Sequence, residues 1–301
     1  YPKEMRKWLI DFPKELKKGQ LNMLRQLNML KYLTKLRPTY FKPELPALSN
    51  FTTGELMGST SEKIAERFGV SRNDQDEFTI RSHDLAYDAH VNALYSREIF
   101  PFEGKIMEKN IRPKLNINKL RELKPSFKKN GTHTAANSTG LTDGASACII
   151  SSENMAKELD IEPLAYIEDS VFIGTDPFEE MLLVPAYAIP YLLKRNNLTL
   201  NNIDVFEIHE AFAGQILANI NALNSDKFCK ENLNCDKLGR ISVHKLNLWG
   251  GSIAIGHPLA ASNIRNIMTA VNRLKRENKE LALVAACADS GLANAMLIRR
   301  Y

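Results

Sequence analysis

The stretch IDVFEIHEAFAGQILANINALN, residues 203–224, decides the fold class of this 301-residue chain. Its first part, 203–210, is a predicted strand with β-branched and aromatic residues at Ile203, Val205, Phe206 and Ile208. Its second part, 211–224, continues as a predicted helix. A strand that runs directly into a helix is the unit from which α/β layered folds are built. The polar pair His209-Glu210 therefore falls where a strand ends and a helix begins.

The same alternation extends on both sides of this stretch. Upstream we predict a strand at 164–173 and a helix at 184–197, in spite of the prolines in that helix. Downstream we predict a helix at 259–277, then strands at 281–288 and 293–300 that are joined by an ADSGL hairpin. Strands that alternate with crossover helices indicate an α/β layered fold.

The chain before this alternating region has a different character. Two helices are predicted within 61–94, the first capped by Ser61 and the second by Ser71. Residues 95–130 are expected to be irregular. Residues 131–150 are expected to form a polar glycine-rich turn, a short helix and a strand.

Positive charge is concentrated near the start of the chain. Residues 1–45 carry a net charge of +7, and the remaining residues carry −2. Within that segment, leucines at every third position among Lys and Arg predict a basic amphipathic helix at 15–36. Such a helix either packs on its own protein or lies on an anionic membrane or a partner, and both readings stay open. The rest of the surface gives no reason to expect nucleic-acid binding.

Cysteine usage argues against a metal or disulfide framework. The chain has four cysteines and no Cys-x-x-Cys pair, so no metal site is predicted. Sparse, unpaired cysteines fit a reducing compartment. For Cys148, Cys229 and Cys235 we expect a buried or incidental thiol.

Three loops carry residues with acid–base or nucleophilic chemistry. His209 follows a strand, His257 lies in a Gly-His-Pro turn before a helix, and Cys287 ends a strand. In α/β sheets, ligands bind at such strand ends. A lone histidine is more often structural, but a histidine near a strand-end cysteine suggests thiol chemistry. In that chemistry the imidazole transfers a proton, and the sulfur acts as base or nucleophile.

The motifs resemble those of the thiolases, which exchange acyl groups between coenzyme A (CoA) and a cysteine. The matching segments keep the order of the family and cover the whole chain. They are MGSTSEKIAERFGVSRNDQDEFTIRSH at 57–83, GTHTAANSTGLTDGASA at 131–147, HEAFAGQILAN at 209–219, Asn247-x-x-Gly250-Gly251, and Gly256-His257-Pro258 followed by Ala261-Ser262 and Arg265.

The resemblance implies a thiolase-type layered βαβ fold that is incomplete, with a C-terminal half and a loop domain. Residues 1–127 would be a loop domain with a basic amphipathic helical insertion. Residues 128–158 would be the tail of the N-terminal half, and 159–301 the C-terminal domain.

The resemblance also implies catalytic roles. His257 would activate the nucleophilic cysteine and help bind the thioester oxygen. Cys287 would be the acid/base that serves the leaving or attacking group. His209 would help hold an oxyanion-hole water, at a position where the family often has Asn.

Four further positions would bind substrate if the resemblance holds. Met57 would line the acyl pocket, and Thr139 would lie against the CoA tail. Asn247 and Gly256 complete the predicted substrate-binding set. Acyl-CoA and CoA would be substrates, and no cofactor is expected.

The activity implied is that of an acetyl-CoA C-acyltransferase of fatty acid β-oxidation. The basic insertion before Met57 and the histidine at 209 are most similar to a mitochondrial branch whose β-subunits pair with an α-subunit. We therefore expect a mitochondrial location, in the matrix or at the inner-membrane surface. We also expect a homodimer or a hetero-oligomer with an α-like subunit, with residues 15–36 as a membrane contact.

Three departures from the family leave the activity of this chain open. The nucleophilic cysteine of thiolases precedes everything matched here, so the chain is expected to be a fragment without it. The final loop, 287–293, has Asp289 and Ser290 where the family is glycine-rich, and a carboxylate there would oppose a developing oxyanion. Ala260 and Asn263 also replace usual glycines. The alternative is a catalytically inactive thiolase-like partner or membrane-associated subunit.

Overall fold

A computed structural model describes residues 49–104 and 108–301 of the chain. The helix predicted at 15–36, with its membrane or partner contact, lies outside the described residues. Residues Ser49–Tyr301 form one compact unit. The domain boundaries predicted after residues 127 and 158 remain predictions.

Helices precede, separate and flank the strands of this unit. The helices are α1 (Met57–Arg67), α2 (Arg72–Val91), α3 (Ile117–Arg121), α4 (Glu153–Glu158), α5 (Pro185–Arg195), α6 (Ala213–Leu223), α7 (Asp226–Phe228), α8 (Ser252–Ile255) and α9 (Ala261–Arg276). The strands are β1 (Ala165–Gly174), β2 (Val205–Ile208), β3 (Leu281–Ala288) and β4 (Leu292–Arg300). None of the described helices has the length and apolar character needed to cross a bilayer.

The four strands form one mixed sheet in the order β1-β4-β3-β2. β2 and β3 are parallel, and β4 runs antiparallel to both β3 and β1. The strands predicted after residue 164 and the predicted final hairpin are confirmed, with ends that differ by a few residues. The α/β layered fold class is confirmed as well.

Strand β3 shows why the sheet has helices on both faces. Leu281 and Leu283 pack in the main core, which also contains most buried residues of α5 and α6. Ala282 and Val284 pack in a second cluster with residues of α9. Successive side chains of a strand point to opposite faces, so an apolar run without polar interruption is the signature of a strand covered on both sides.

The two helices before the sheet begin at different kinds of residue. Ser71 caps α2 as predicted: its Oγ accepts from Asp74 N at 3.1 Å, and Asp74 Oδ2 accepts from Ser71 N at 3.0 Å. The prediction that Ser61 caps α1 is wrong, because this helix starts one turn earlier at Met57. Ser61 is fully buried inside the helix, and its Oγ lies 2.7 Å from His133 Nε2.

The helix and strand predicted within 131–150 are wrong. The backbone there forms no helix or strand, only isolated bridges at Ser138 and Leu141. A strand requires a neighbour to complete its ladder of hydrogen bonds. No described strand runs beside 143–150, and Ile149 and Ile150 are 96% and 72% exposed.

Candidate active site

The parallel pair β2 and β3 brings two of the three predicted catalytic residues to one edge of the sheet. His209 directly follows β2, and its backbone N–H donates to Ala285 O of β3 at 2.9 Å. Cys287 lies two residues further along β3. The carboxyl ends of both strands therefore present a histidine and a cysteine at the same edge.

The Gly-His-Pro turn brings the third residue to this edge. The rings of His209 and His257 contact each other, with centroids 4.3 Å apart and planes tilted by 45°. His257 N donates to Gly140 O at 2.9 Å, which fixes the turn against the 138–142 segment. Gly256 has φ +97, and a Cβ there would lie 2.6 Å from Thr142 Cγ2, so this position requires glycine.

Each histidine is held through its Nδ1 by a serine from a helix start. Ser252 Oγ, at the start of α8, lies 3.0 Å from His209 Nδ1. Ser262 Oγ, in the first turn of α9, lies 2.6 Å from His257 Nδ1. In the described part of the chain neither Nε2 has a protein partner. Both imidazoles thus keep one ring nitrogen available for a ligand.

Burial lowers the pKa of both imidazoles, which favours their neutral forms. Burial lowers the pKa of His209 well below its usual 6.5, and the charges of His257 and Arg265 act in the same direction. Burial also lowers the pKa of His257, again with help from Arg265. Two neutral imidazoles at neutral pH can accept protons or donate neutral N–H hydrogen bonds.

Cys287 is a protonated thiol at neutral pH. Burial raises its pKa to about 12, and the thiol is free. A thiol with this pKa does not rest as a thiolate nucleophile. It suits a group that gives up a proton to a strong carbanion base and then recovers one.

The loop after Cys287 turns its acidic side chain toward its own backbone. Asp289 Oδ1 accepts from Asn50 Nδ2 at 2.5 Å and from Ser290 N at 2.8 Å. Ser290 has φ +65, a conformation that glycine adopts more easily. The carboxylate therefore accepts a hydrogen bond from the Ser290 N–H. This N–H belongs to the loop that the family resemblance associates with binding an oxyanion.

Asn247 and Glu210 form the support beneath the histidines. Asn247 Oδ1 accepts from Ile208 N at 2.8 Å, and Asn247 Nδ2 donates to Ile208 O at 2.8 Å. The same Nδ2 also donates to Glu210 Oε1 at 2.7 Å. Glu210 is fully buried and also accepts from Ser82 Oγ at 2.7 Å. A Cβ at Gly251 would lie 2.0 Å from the Glu210 carboxyl carbon. The substrate role of Asn247 stays a prediction, since the polar atoms of its side chain are engaged by the protein.

The other two predicted substrate-binding residues lie in different places. Thr139 N donates to Ala211 O at 3.0 Å, and its Oγ1 donates to Ser252 O at 2.6 Å, so it bridges the two histidine loops. Met57 begins α1 and packs against the main core. Their contacts with acyl chain or CoA remain predictions.

Sequence reasoning assigned no role to three residues of this site. These are Glu210, Ser252 and Arg265, whose Nη2 donates to Ser252 Oγ at 3.1 Å. All three lie inside or beside the motifs given above. Their closeness in sequence to His209 and His257 is the one feature that could have indicated a role. Within the described ranges no group of three or more His, Cys, Asp or Glu is placed to hold a metal ion.

Comparison with protein families matches nearly the whole chain. The profile described as thiolase, N-terminal domain matches residues 29–154, and the profile described as thiolase, C-terminal domain matches residues 161–300.

Individual relatives agree with these profiles. A protein named probable 3-ketoacyl-CoA thiolase from Caenorhabditis elegans is 45% identical over 97% of this chain, which spans 67% of that protein. The mitochondrial trifunctional enzyme subunit beta of Mus musculus is 42% identical over 100% of this chain, which spans 63% of that subunit. The chain thus spans about two thirds or less of the length of these relatives.

Solved structures show the same fold. The human mitochondrial 3-ketoacyl-CoA thiolase in complex with CoA superposes with a TM-score of 0.75 at 31% identity, covering 88% of this chain and 66% of that one. The acetyl-CoA acetyltransferase of Bacillus anthracis gives a TM-score of 0.73 at 29% identity, covering 88% and 68%.

Proposed function

The chain belongs to the thiolase family, and on that premise we propose that it is part of an acetyl-CoA C-acyltransferase, a 3-ketoacyl-CoA thiolase of fatty acid β-oxidation. The observation that carries the proposal is the pair of neutral imidazoles, His209 and His257, beside a protonated strand-end thiol. Among the described residues neither ring has a protein partner at Nε2, and both rings lie at the sheet edge where ligands bind in α/β folds.

The proposed chemistry cleaves the C2–C3 bond of a 3-ketoacyl-CoA. A cysteine thiolate attacks the C3 carbonyl, and His257 takes the proton of that cysteine. The bond breaks, the acyl group stays on the cysteine, and the acetyl-CoA carbanion takes a proton from Cys287. The thiol of a second CoA then gives its proton to Cys287 and attacks the acyl-enzyme, which releases a shortened acyl-CoA.

The remaining roles rest on the same premise. His209 helps stabilise an oxyanion, Thr139 lies against CoA, and Met57 lines the acyl pocket. The nucleophilic cysteine is expected from a part of the thiolase fold that precedes the residues matched here, since exposed Cys148 lies outside the histidine loops.

Location and partners are proposed from the mitochondrial relatives. We place the protein in mitochondria, in the matrix or at the inner-membrane surface. It forms a homodimer or a hetero-oligomer with a trifunctional α-like subunit, and residues 15–36 supply a membrane contact. The domain division at 127 and 158 belongs to the same proposal.

The test uses the protein purified from its native source. Its intact mass is compared with the 34.0 kDa of this sequence, and thiolysis of a 3-ketoacyl-CoA is assayed. We expect a larger mass and activity that falls about 10²–10⁴-fold in His257→Ala and in Cys287→Ser, as for loss of a general acid or base. Cys235→Ser, at another partly buried cysteine, is the matched control. Full activity in either catalytic variant contradicts the proposal.

One observation favours a second candidate, an inactive thiolase-like partner. Asp289 Oδ1 accepts a hydrogen bond from the Ser290 N–H in the loop that follows Cys287. This candidate predicts a native mass of 34.0 kDa and no thiolysis. That result would replace the acyltransferase proposal.

A further inference from the structure

We infer that Arg265, acting through the Ser252 hydroxyl, is a positioning residue that holds His209 with its proton on Nε2, so that His209 is a fixed hydrogen-bond donor beside His257. The inference deepens the proposed function and rests on it for its catalytic meaning.

Ser252 lies between Arg265 and His209. Its side chain is fully buried. Two groups contact its Oγ: Arg265 Nη2 at 3.1 Å and His209 Nδ1 at 3.0 Å. Arginine is always charged and is only a donor, so the Ser252 oxygen accepts that bond.

The Ser252 hydroxyl also has a proton to donate. The described residues offer it one acceptor, His209 Nδ1. If Nδ1 were protonated, it would donate to Ser252, and the buried hydroxyl proton would be left without a partner. Buried polar hydrogens are rarely left so. The guanidinium charge also turns the hydroxyl dipole so that its proton faces away from Arg265, toward His209.

The Arg265 guanidinium is partly buried and is directed at Ser252. Its Nε and Nη1 atoms are buried, and neither has a hydrogen-bond partner in the described part of the chain. Within the described residues, its hydrogen bond from Nη2 to Ser252 is therefore the one that the guanidinium makes. Its positive charge thus acts directly on the serine that binds His209.

These contacts fix the tautomer of His209. A neutral imidazole that accepts at Nδ1 carries its proton on Nε2. His209 is 3% exposed, and Nε2 has no protein partner in the described part. The His209 ring can therefore donate its Nε2–H to a ligand bound beside His257.

The two histidines differ in this respect. Ser262 Oγ contacts His257 Nδ1 at 2.6 Å, but no cation contacts that serine in the described residues. Ser262 therefore lacks the charge that orients the Ser252 hydroxyl, and the tautomer of His257 is less strongly fixed than that of His209. A fixed donor beside an adaptable base suits acyl transfer, in which one group stabilises the oxyanion and the other exchanges protons.

The test reads the histidine tautomers directly by ¹⁵N NMR of the unliganded protein. The protein is labelled on the imidazole nitrogens, and each ring is assigned by single His→Gln variants. We expect His209 to show a protonated Nε2 and a bare, hydrogen-bonded Nδ1. In Arg265→Met we expect a second population with the proton on Nδ1, and Arg265→Lys should keep the wild-type pattern because lysine is also a charged donor.

Matched serine variants separate the two rings. Ser252→Ala should move the Nδ1 signal of His209 to that of a nitrogen without a hydrogen bond, and Ser262→Ala should do the same only to His257. A protonated Nδ1 on wild-type His209 overturns the inference, and so does an unchanged single tautomer in Arg265→Met. The wild-type spectrum stands even where a variant fails to fold. Since the spectrum needs no turnover, loss of the acyltransferase proposal would leave this result in place.

Discussion

Among single residues, Cys287 has the chemistry that depends most on its surroundings. Burial raises the pKa of its thiol to about 12, and alkylating agents react with thiolates. At pH 7.5 we expect iodoacetamide to modify Cys287 at least about 100-fold more slowly than exposed Cys148. A time course of peptide masses measures both rates in one sample. In 8 M urea the two rates should converge, and equal rates in the folded protein would contradict the assignment.

Asp289 is the residue whose side chain most directly opposes the proposed activity. Its carboxylate accepts from Asn50 and from Ser290 N–H, so it removes a backbone donor and adds negative charge where an oxyanion would form. In the native-length protein we expect Asp289→Gly to raise kcat for thiolysis about tenfold or more, because one oxyanion donor contributes about 10²–10³ in rate.

The control for this prediction is Asp289→Asn, which removes the charge and keeps the shape. A smaller gain in this variant would assign the rest of the effect to the Ser290 N–H. If neither variant changes kcat, Asp289 does not restrain the site.

At the level of elements, a buried ion pair fastens α9 to β2. Arg273 Nη1 donates to Glu207 Oε1 at 2.7 Å, and the two side chains are 0% and 1% exposed. Arg273→Met leaves the Glu207 carboxylate buried without its cation, so we expect a loss of about 3–5 kcal/mol in the free energy of unfolding. Urea unfolding measures the change. The double variant with Glu207→Leu should recover most of the loss, and no recovery would mean that the packing of Arg273 matters more than its charge.

A second contact between elements ties α1 to the 131–133 segment. The Glu62 carboxylate accepts from Thr132 N and His133 N at 2.9 Å. Burial alone would raise its pKa, but hydrogen bonds from the His133 ring and from these N–H groups lower it to about 2.

This pKa shift predicts how Glu62 affects stability against pH. The folded-state pKa lies below the usual 4.5, so the stabilisation is complete above pH 4.5 and is lost as pH falls toward 2. We expect Glu62→Gln to lower the free energy of unfolding by about 2–3 kcal/mol at pH 7 and to flatten its dependence on pH between 5 and 3. Urea titrations at several pH values measure both effects, and an equal loss at pH 3 and pH 7 would contradict the shift.

Elements differ in how far the sequence predicts them. The strand–helix alternation after residue 164 is predictable because segment length, apolar pattern and flanking turn residues together distinguish short strands from longer helices. The 131–150 segment is not, because its backbone is held by distant groups such as Glu62 and His257. Local sequence carries no signal for such contacts, and a glycine-rich stretch takes the shape its neighbours impose.

The candidate site shows the same division. His209, His257 and Cys287 were found because strand ends and tight turns mark them in the sequence. Ser252 and Arg265 were not assigned, because a serine gives no indication from sequence of which group its hydroxyl will contact. Their roles depend on side-chain directions that only packing decides.

At the scale of the whole molecule, the described surface exposes several large apolar side chains to solvent. Their exposure is unfavourable for a monomer. Phe172 on β1 is 80% exposed, Ile149 is 96% exposed, and β1 pairs with β4 alone among the described strands. Exposed apolar residues and an open strand edge favour association. We expect the 34.0 kDa chain to sediment as dimers or larger species at micromolar concentration.

The substitutions that test this expectation place charge on the exposed faces. Phe172→Lys and Ile149→Lys should shift the sedimentation profile toward monomer, because a lysine buried in an interface must lose its hydration. Val243→Lys, at an apolar residue 52% exposed on another loop, is the control and should leave the profile unchanged. A monomeric wild-type chain would contradict the expectation that these faces drive association. An equal shift in all three variants would mean that net charge, and not these surfaces, governs association.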